Sequence, residues 1–107
     1  MVQQTSIREA VLRLQELYYK YNQLVNELLI LRSKLSEIRE AKRILSNRVD
    51  RRIYREIGRL VIEVSREEAL KYLEDEEEVT MIRIEKLEGE RKKLLEEIRR
   101  LEKIIGK

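Results

Sequence analysis

Two long segments of this chain repeat apolar residues at alternating steps of three and four, and a short segment with a period of two separates them. The first segment keeps this spacing at twelve positions, of which eleven are apolar, and the second at eleven positions, of which eight are apolar. Such sustained spacing is typical of helices that pack along a coiled-coil seam. The predicted seam positions are Ile7, Ala10, Leu14, Leu17, Tyr21, Leu24, Leu28, Leu31, Leu35, Ile38, Lys42 and Leu45, followed by Leu70, Leu73, Glu77, Thr80, Ile84, Leu87, Arg91, Leu94, Ile98, Leu101 and Ile105.

Short polar motifs predict where each helix begins. A serine three residues before a glutamate forms a capping box, in which each side chain bonds the backbone amide of the other residue. The chain has two such motifs, Ser6 with Glu9 and Ser65 with Glu68. They predict one helix over residues 6–46 and a second over 66–105, with Gly106 in the position where a glycine commonly follows a helix.

Residues 52–64 have the alternation of two β-strands. Before Gly58-Arg59, Ile53, Arg55 and Ile57 alternate with Tyr54 and Glu56. After it, Leu60, Ile62 and Val64 alternate with Val61 and Glu63. This period of two among β-branched residues predicts strands. Gly58 can supply the positive φ that the first position of a two-residue type II′ turn requires. A two-stranded hairpin is marginal in water and has two open edges, so we expect it to pair with other hairpins.

These elements predict a mainly α-helical fold, an antiparallel two-helix coiled coil with one β-hairpin between the helices, in a single domain over residues 1–107. Folding back would bring the start of the first helix beside the end of the second, because the two seams have similar lengths. An open arrangement of parallel or trimeric helices remains an alternative. The shared free end would carry the apolar residues Ile7, Val11, Leu12, Leu14, Leu101, Ile104 and Ile105.

Polar residues interrupt the predicted seam at three notable places, Lys42, Glu77 and Arg91. Lys42 and Glu77 could pair with each other and so set the register of the helices, as polar seam residues do in other coiled coils. The alternative, which we favour on the sequence, is that each long side chain bends out of the seam toward water.

Composition argues against catalysis. The chain has no His and no Cys, which removes the commonest general base and the thiol nucleophile, and its three glycines form no phosphate-binding loop. We therefore expect a protein that is not an enzyme and uses neither a cofactor nor a metal. No signal-peptide pattern precedes the first helix, so a cytoplasmic location is expected, and the dense Glu, Lys and Arg content is typical of thermophiles.

The charge balance disfavours nucleic acid and membranes as partners. The net charge is only +3, from 24 basic and 21 acidic residues, and dedicated nucleic-acid binders are more basic. Eight basic and three acidic residues lie between Arg39 and Arg59, which we interpret as a solvated surface rather than a phosphate-binding patch. No apolar run approaches the roughly 18 residues of a membrane span.

The segment from Ile53 to Ile62 resembles the signature of the β-type subunit of prefoldin. In that family a stretch of the form Tyr-basic-x-aliphatic-Gly precedes an aliphatic strand and an acidic helix start. The corresponding stretches here are Tyr54-Arg55-Glu56-Ile57-Gly58, Leu60-Val61-Ile62 and Ser65-Arg66-Glu67-Glu68-Ala69. The flanking heptads extend the resemblance over nearly the whole chain, and room for only one hairpin favours the β-type over the α-type subunit.

The resemblance implies a subunit of an ATP-independent holdase chaperone that contains two α-type and four β-type subunits. The hairpins of the six subunits would form a β-barrel platform, and the ends of the coiled coils would hold unfolded client proteins and deliver them to a group II chaperonin. The resemblance assigns the platform to Ile53, Tyr54, Ile57, Gly58, Leu60, Ile62 and Val64. Client binding would use Ile7, Val11, Leu12, Leu101, Ile104 and Ile105.

Two other functions remain open on the residues alone. The first is a structural scaffold, a coiled coil that associates with itself through the hairpin and binds no client. The second is a coiled coil that binds nucleic acid, for which a steep dependence of binding on salt would be the sign.

Overall fold

The computed structural model describes residues 2–48 and 51–106 and contains two helices with a β-hairpin between them. Helix α1 spans Val2–Asn47, strand β1 Ile53–Ile57, strand β2 Leu60–Val64 and helix α2 Arg66–Ile105. The predicted fold class is therefore confirmed. The chain divides into two compact units, residues 1–30 with 84–107 (unit 1) and residues 31–83 (unit 2).

The ends of the helices agree with the sequence at three of four places. The Ser65 hydroxyl oxygen accepts a hydrogen bond from the backbone amide of Glu68 at 3.1 Å, which makes Ser65 the N-cap of α2. Gly106 follows α2 with a φ of 89°, and α1 ends at Asn47. The predicted N-cap at Ser6 is wrong, because α1 already begins at Val2. Residues 2–6 contain no Pro or Gly that would stop the helix.

The heptad seam predicts burial well in both helices. Every seam position of α1 except Ile7, and every seam position of α2, is buried or half-buried. In unit 1, Ala10, Leu14 and Leu17 pack with Ile98 and Leu101. Residues near the start of α1 thus meet residues near the end of α2, which confirms the antiparallel pairing for this unit.

In unit 2 the two helices also run antiparallel and are joined by charged side chains. Lys34 Nζ lies 3.2 Å from Glu76 Oε2, while residues 41–45 line one pocket with residues 69–73. Ile38, Ala69 and Thr80 are buried in this unit. The Thr80 hydroxyl donates to the backbone carbonyl of Glu76 at 2.7 Å, so a polar residue is tolerated in the seam because its hydroxyl is satisfied within its own helix.

The hairpin has the predicted register and turn. Ile57 pairs with Leu60 and Ile53 with Val64, leaving Gly58 and Arg59 as the two turn residues. Gly58 has a φ of 58°, whereas every non-glycine residue in the described part of the chain has a negative φ. Positive φ at the first turn position and negative φ at the second is the pattern of a type II′ turn.

Replacing each of two glycines with alanine should change the free energy of unfolding in opposite directions. A Cβ added at Gly58 or at Gly89 meets no atom within 4 Å, so only backbone conformation separates the two sites. Gly58→Ala places a side chain at positive φ and should lower the free energy of unfolding by about 1 kcal/mol. Gly89→Ala, in the middle of α2, should raise it by about 0.5–1 kcal/mol. Urea unfolding measures both, and a shift of the same sign in the two variants would contradict this account.

Candidate functional site

The register gives the hairpin two chemically different faces. Residues opposite each other in a pair share a face, so β1 and β2 place one group of side chains together on what we call the apolar face. Its members are Ile53, Arg55, Ile57, Leu60, Ile62 and Val64. Tyr54, Glu56, Val61 and Glu63 lie on the opposite face. The predicted platform residues are therefore not all on one face. Five of them lie on the apolar face, Tyr54 lies on the opposite face, and Gly58 lies in the turn.

Only part of the apolar face is covered by the rest of unit 2. Ile53, Arg55 and Val64, at the open end of the hairpin, are half-buried. The other three members form the turn half of the face and stay exposed, with Ile57 at 46 %, Leu60 at 67 % and Ile62 at 43 %. Three adjacent aliphatic side chains on a two-stranded sheet therefore remain open to contact with another chain.

Arg55 fastens the hairpin to α2 in a way that the sequence did not indicate. Its guanidinium carbon lies 3.7 Å from the centre of the Tyr72 ring, which is a cation–π contact. A pocket of about 390 Å³ lies beside this contact, and helical residues Ala41, Leu45, Ala69 and Leu73 contribute to its lining. The contact holds the hairpin against the helices of unit 2 at its half-buried end.

The charged seam residues of unit 2 form a cluster around Glu77. Lys42 Nζ lies 3.0 Å from Glu77 Oε1, and Arg39 Nε donates to Glu77 Oε2 at 3.1 Å. The pairing of Lys42 with Glu77, which the sequence left as the less favoured alternative, is therefore correct, and the favoured interpretation that both side chains bend away into water is wrong. Hydrogen bonds donated by Lys42, which has the larger effect, and by Arg39 keep the pKa of the Glu77 carboxyl below its ordinary value of about 4.5.

This lowered pKa predicts a pH dependence of stability. A carboxyl whose pKa is lower in the folded state stabilises that state above its unfolded pKa, and the contribution is lost as pH falls through the folded pKa. We expect Glu77→Gln to lower the urea midpoint at pH 7 and the difference from the parent chain to shrink as pH falls below about 4.5. The control is Glu78→Gln, since Glu78 is exposed. A pH-independent difference for Glu77→Gln would contradict the pairing.

Arg91, the third charged seam residue, is satisfied within unit 1. Its Nε donates to Glu88 Oε2 at 3.1 Å. Two hydrogen-bond partners raise the pKa of Arg91 above its usual range. The Tyr21 side chain has the larger effect and Glu88 the smaller one. Arg91 and Tyr21, both predicted seam residues, therefore contact each other across the antiparallel pair.

The predicted client-binding residues divide into exposed and buried groups in unit 1. Ile7, Val11, Leu12 and Ile104 are exposed, and the first three border a shallow hollow together with Arg8. Ile105 is half-buried and packs against the core. Leu101 is only 8 % exposed and belongs to that core, so it is not one of the exposed residues, and its assignment to client binding stays a prediction. The exposed residues Ile7, Val11, Leu12 and Ile104 are called the client surface below, where client binding is proposed for them.

One hydrogen bond that joins α1 to α2 in unit 1 was not predicted from the sequence. The Tyr18 hydroxyl donates to Glu102 Oε2 at 2.6 Å. This hydrogen bond, which involves a carboxylate, is the main reason that the pKa of Tyr18 is raised. Tyr18 lies outside the heptad seam, so no spacing rule indicated its partner.

Within the described residues no group of three or more acidic side chains is placed to hold a metal ion. No helix in the part of the chain that the structure describes is long and apolar enough to cross a membrane.

Comparison with known proteins agrees with this architecture. The family model described as "Prefoldin subunit" matches residues 8–107. The crystal structure of the prefoldin beta2 subunit from Thermococcus strain KS-1 is similar, with 30 % sequence identity and a TM-score of 0.78, over 84 % of this chain and 97 % of that one. No curated protein sequence is significantly similar to this chain.

A second solved structure shares the fold at lower identity. The prefoldin beta subunit from the same Thermococcus strain matches with a TM-score of 0.86 over 94 % of this chain and 89 % of that chain, at 21 % identity. Both of these structures are beta subunits, and the hairpin between two long helices is present as the segment from Ile53 to Ile62 predicted. The chain therefore belongs to the prefoldin subunit family and is a subunit of the β type.

Proposed function

We propose that this chain is a subunit of an ATP-independent holdase chaperone, assembled with an α-type prefoldin subunit as two α and four β subunits. The complex would capture unfolded proteins and deliver them to a group II chaperonin. The observation that carries the proposal is the turn half of the apolar face, where Ile57, Leu60 and Ile62 are exposed on a hairpin with two open edges.

Physical reasons support assembly through this hairpin. Two strands are too few for independent stability in water, and burying apolar surface contributes about 25 cal/mol per Å². Contact with neighbouring hairpins would bury the turn half and pair the open strand edges at once. Tyr54 and Val61, on the opposite face, would then lie outside or at the margin of that contact.

The client surface supports capture without nucleotide. Val11, Leu12 and Ile104 offer a small apolar area on each subunit, which suits weak and reversible contact with exposed apolar segments of unfolded proteins. Several subunits acting together would convert weak contacts into useful avidity. Release can then follow from competition by the chaperonin, so the proposed cycle needs no enzyme activity, cofactor or metal.

Family membership also supports a soluble, cytoplasmic complex that includes other prefoldin subunits. The Thermococcus origin of both similar structures agrees with the thermophile-like composition.

Native mass spectrometry of the chain, alone and mixed with an α-type prefoldin subunit, tests assembly. We expect the mixture to form a species of two α and four copies of this chain, and that species to suppress aggregation of a denatured model protein at low molar ratio. A mass that the α subunit leaves unchanged would reject the hexamer. A normal hexamer without aggregation suppression would reject the holdase and favour a structural scaffold.

A further inference from the structure

A second pair of exposed apolar residues lies on α2 within unit 2. Val79 is 64 % exposed and Ile82 60 %, and side chains three residues apart share one face of a helix. The seam positions Leu73, Glu77 and Thr80 are half-buried or buried. At about 100° per residue, Val79 and Ile82 lie on the side of α2 opposite these seam positions, so α1 cannot cover them.

Unpaired carboxylates flank this apolar pair. Asp75 precedes Val79 by one helical turn, and Glu78 precedes Ile82 by one turn, which places all four on the same side of α2. Both carboxylates are exposed, and among the described residues neither has a hydrogen-bond or ion-pair partner. We call these four residues, Asp75, Glu78, Val79 and Ile82, the outer stripe.

Residues 74–78 of α2 are all acidic, and ion pairing with α1 divides them into two groups. Glu76 and Glu77, which point toward α1, are neutralised by Lys34, Arg39 and Lys42. Asp75 and Glu78 take part in none of these ion pairs. Over residues 67–83, the surface of α2 away from the seam is acidic. Its five acidic side chains are Glu67, Glu68, Glu74, Asp75 and Glu78, and its two basic side chains are Lys71 and Arg83.

We propose that the outer stripe binds a basic amphipathic helix of another polypeptide. Aliphatic side chains of that helix would pack on Val79 and Ile82, and its Lys or Arg residues would lie beside Asp75 and Glu78, as in helix recognition through spaced apolar anchors. A second copy of the stripe is a poor occupant, because it would bring carboxylates against carboxylates. The small apolar area makes the contact weak and sensitive to salt.

This surface is separate from the residues used in the proposed chaperone function. It shares no residue with the turn half of the hairpin or with the client surface. Binding to it can be measured on the full chain whether or not the chain forms a hexamer, so the two proposals can fail independently.

The test uses a fluorescently labelled synthetic amphipathic peptide of Leu and Lys, titrated with the full chain and followed by fluorescence anisotropy. We expect binding at low salt that the variant V79S/I82S weakens at least tenfold. The matched control is L29S/I30S, since Leu29 and Ile30 are exposed to a similar degree on α1; it should bind as the parent chain does. A peptide of Leu and Glu should bind far more weakly than the Leu and Lys peptide.

A charge variant gives a second measurement that leaves the apolar pair intact. Asp75→Asn with Glu78→Gln should weaken the Leu and Lys peptide severalfold and reduce the dependence of its affinity on salt. Unchanged binding in V79S/I82S, equal loss in L29S/I30S, or equal binding of the Leu and Glu peptide would each overturn the proposal. A dimer of the chain alone that V79S/I82S abolishes would place a second copy on the stripe and overturn it as well.

Discussion

Ile57→Asp should abolish assembly with an α-type subunit while leaving the helices of the chain folded. Ile57 lies next to the turn on the apolar face and is 46 % exposed, so the single chain can tolerate a carboxylate there in water. An assembled platform would have to bury that carboxylate among aliphatic side chains, at a cost of several kcal/mol. Native mass spectrometry should show subunits or small species in place of the hexamer.

Val61→Asp is the matched control for this result. Val61 is also aliphatic and exposed in the same hairpin, but it lies on the opposite face. We expect it to assemble normally, with helical circular dichroism equal to that of Ile57→Asp. A normal hexamer mass for Ile57→Asp would remove the apolar face from the platform. Loss of assembly in both variants would mean that the hairpin buries both faces.

Leu12→Ser combined with Ile104→Ser should weaken client holding and preserve the hexamer. Both residues are exposed, at 57 % and 54 %, so serine costs little stability in the chain. Each client contact would lose on the order of 1–2 kcal/mol of apolar interaction. Because several subunits act on one client, the losses combine, and the concentration needed for half-maximal suppression of aggregation should rise at least tenfold.

Leu29→Ser combined with Ile30→Ser is the matched control, with the same number of substitutions on similarly exposed aliphatic residues. It should suppress aggregation as well as the parent complex. Equal suppression by the Leu12 and Ile104 variant would contradict the client surface. An equal loss in both variants would show that clients contact exposed apolar residues without preference for the client surface.

Local sequence patterns predicted the elements of this fold accurately. The heptad spacing identified the buried stripe of each helix, because side chains three and four residues apart must share a helix face. The alternation around Gly58 identified the strands and their register, since a two-residue turn leaves one possible pairing. The motif from Tyr54 to Ile62 identified the family, which the match over residues 8–107 confirms.

The errors arose where contacts between distant residues set the outcome. Leu101 was assigned both to the seam and to client binding, and only its packing with Ala10, Leu14 and Leu17 shows that its side chain is buried. Lys42 was expected to extend into water, but Glu77 lies across the seam at hydrogen-bond distance. Ser6 has the pattern of an N-cap, but a capping motif cannot stop a helix that the preceding residues are able to continue.

The chain's spacing of apolar, polar and glycine residues was enough to specify two long helices, the hairpin between them and the turn at Gly58. Those features depend on backbone geometry and on neighbours within a few positions. Which aliphatic side chains stay exposed could be read only from the folded chain. Ile57 and Ile53 alternate identically in sequence, but Ile53 is half-buried and lines a pocket with residues of α1 and α2, whereas Ile57 stays exposed. Burial depends on residues brought near from far along the chain.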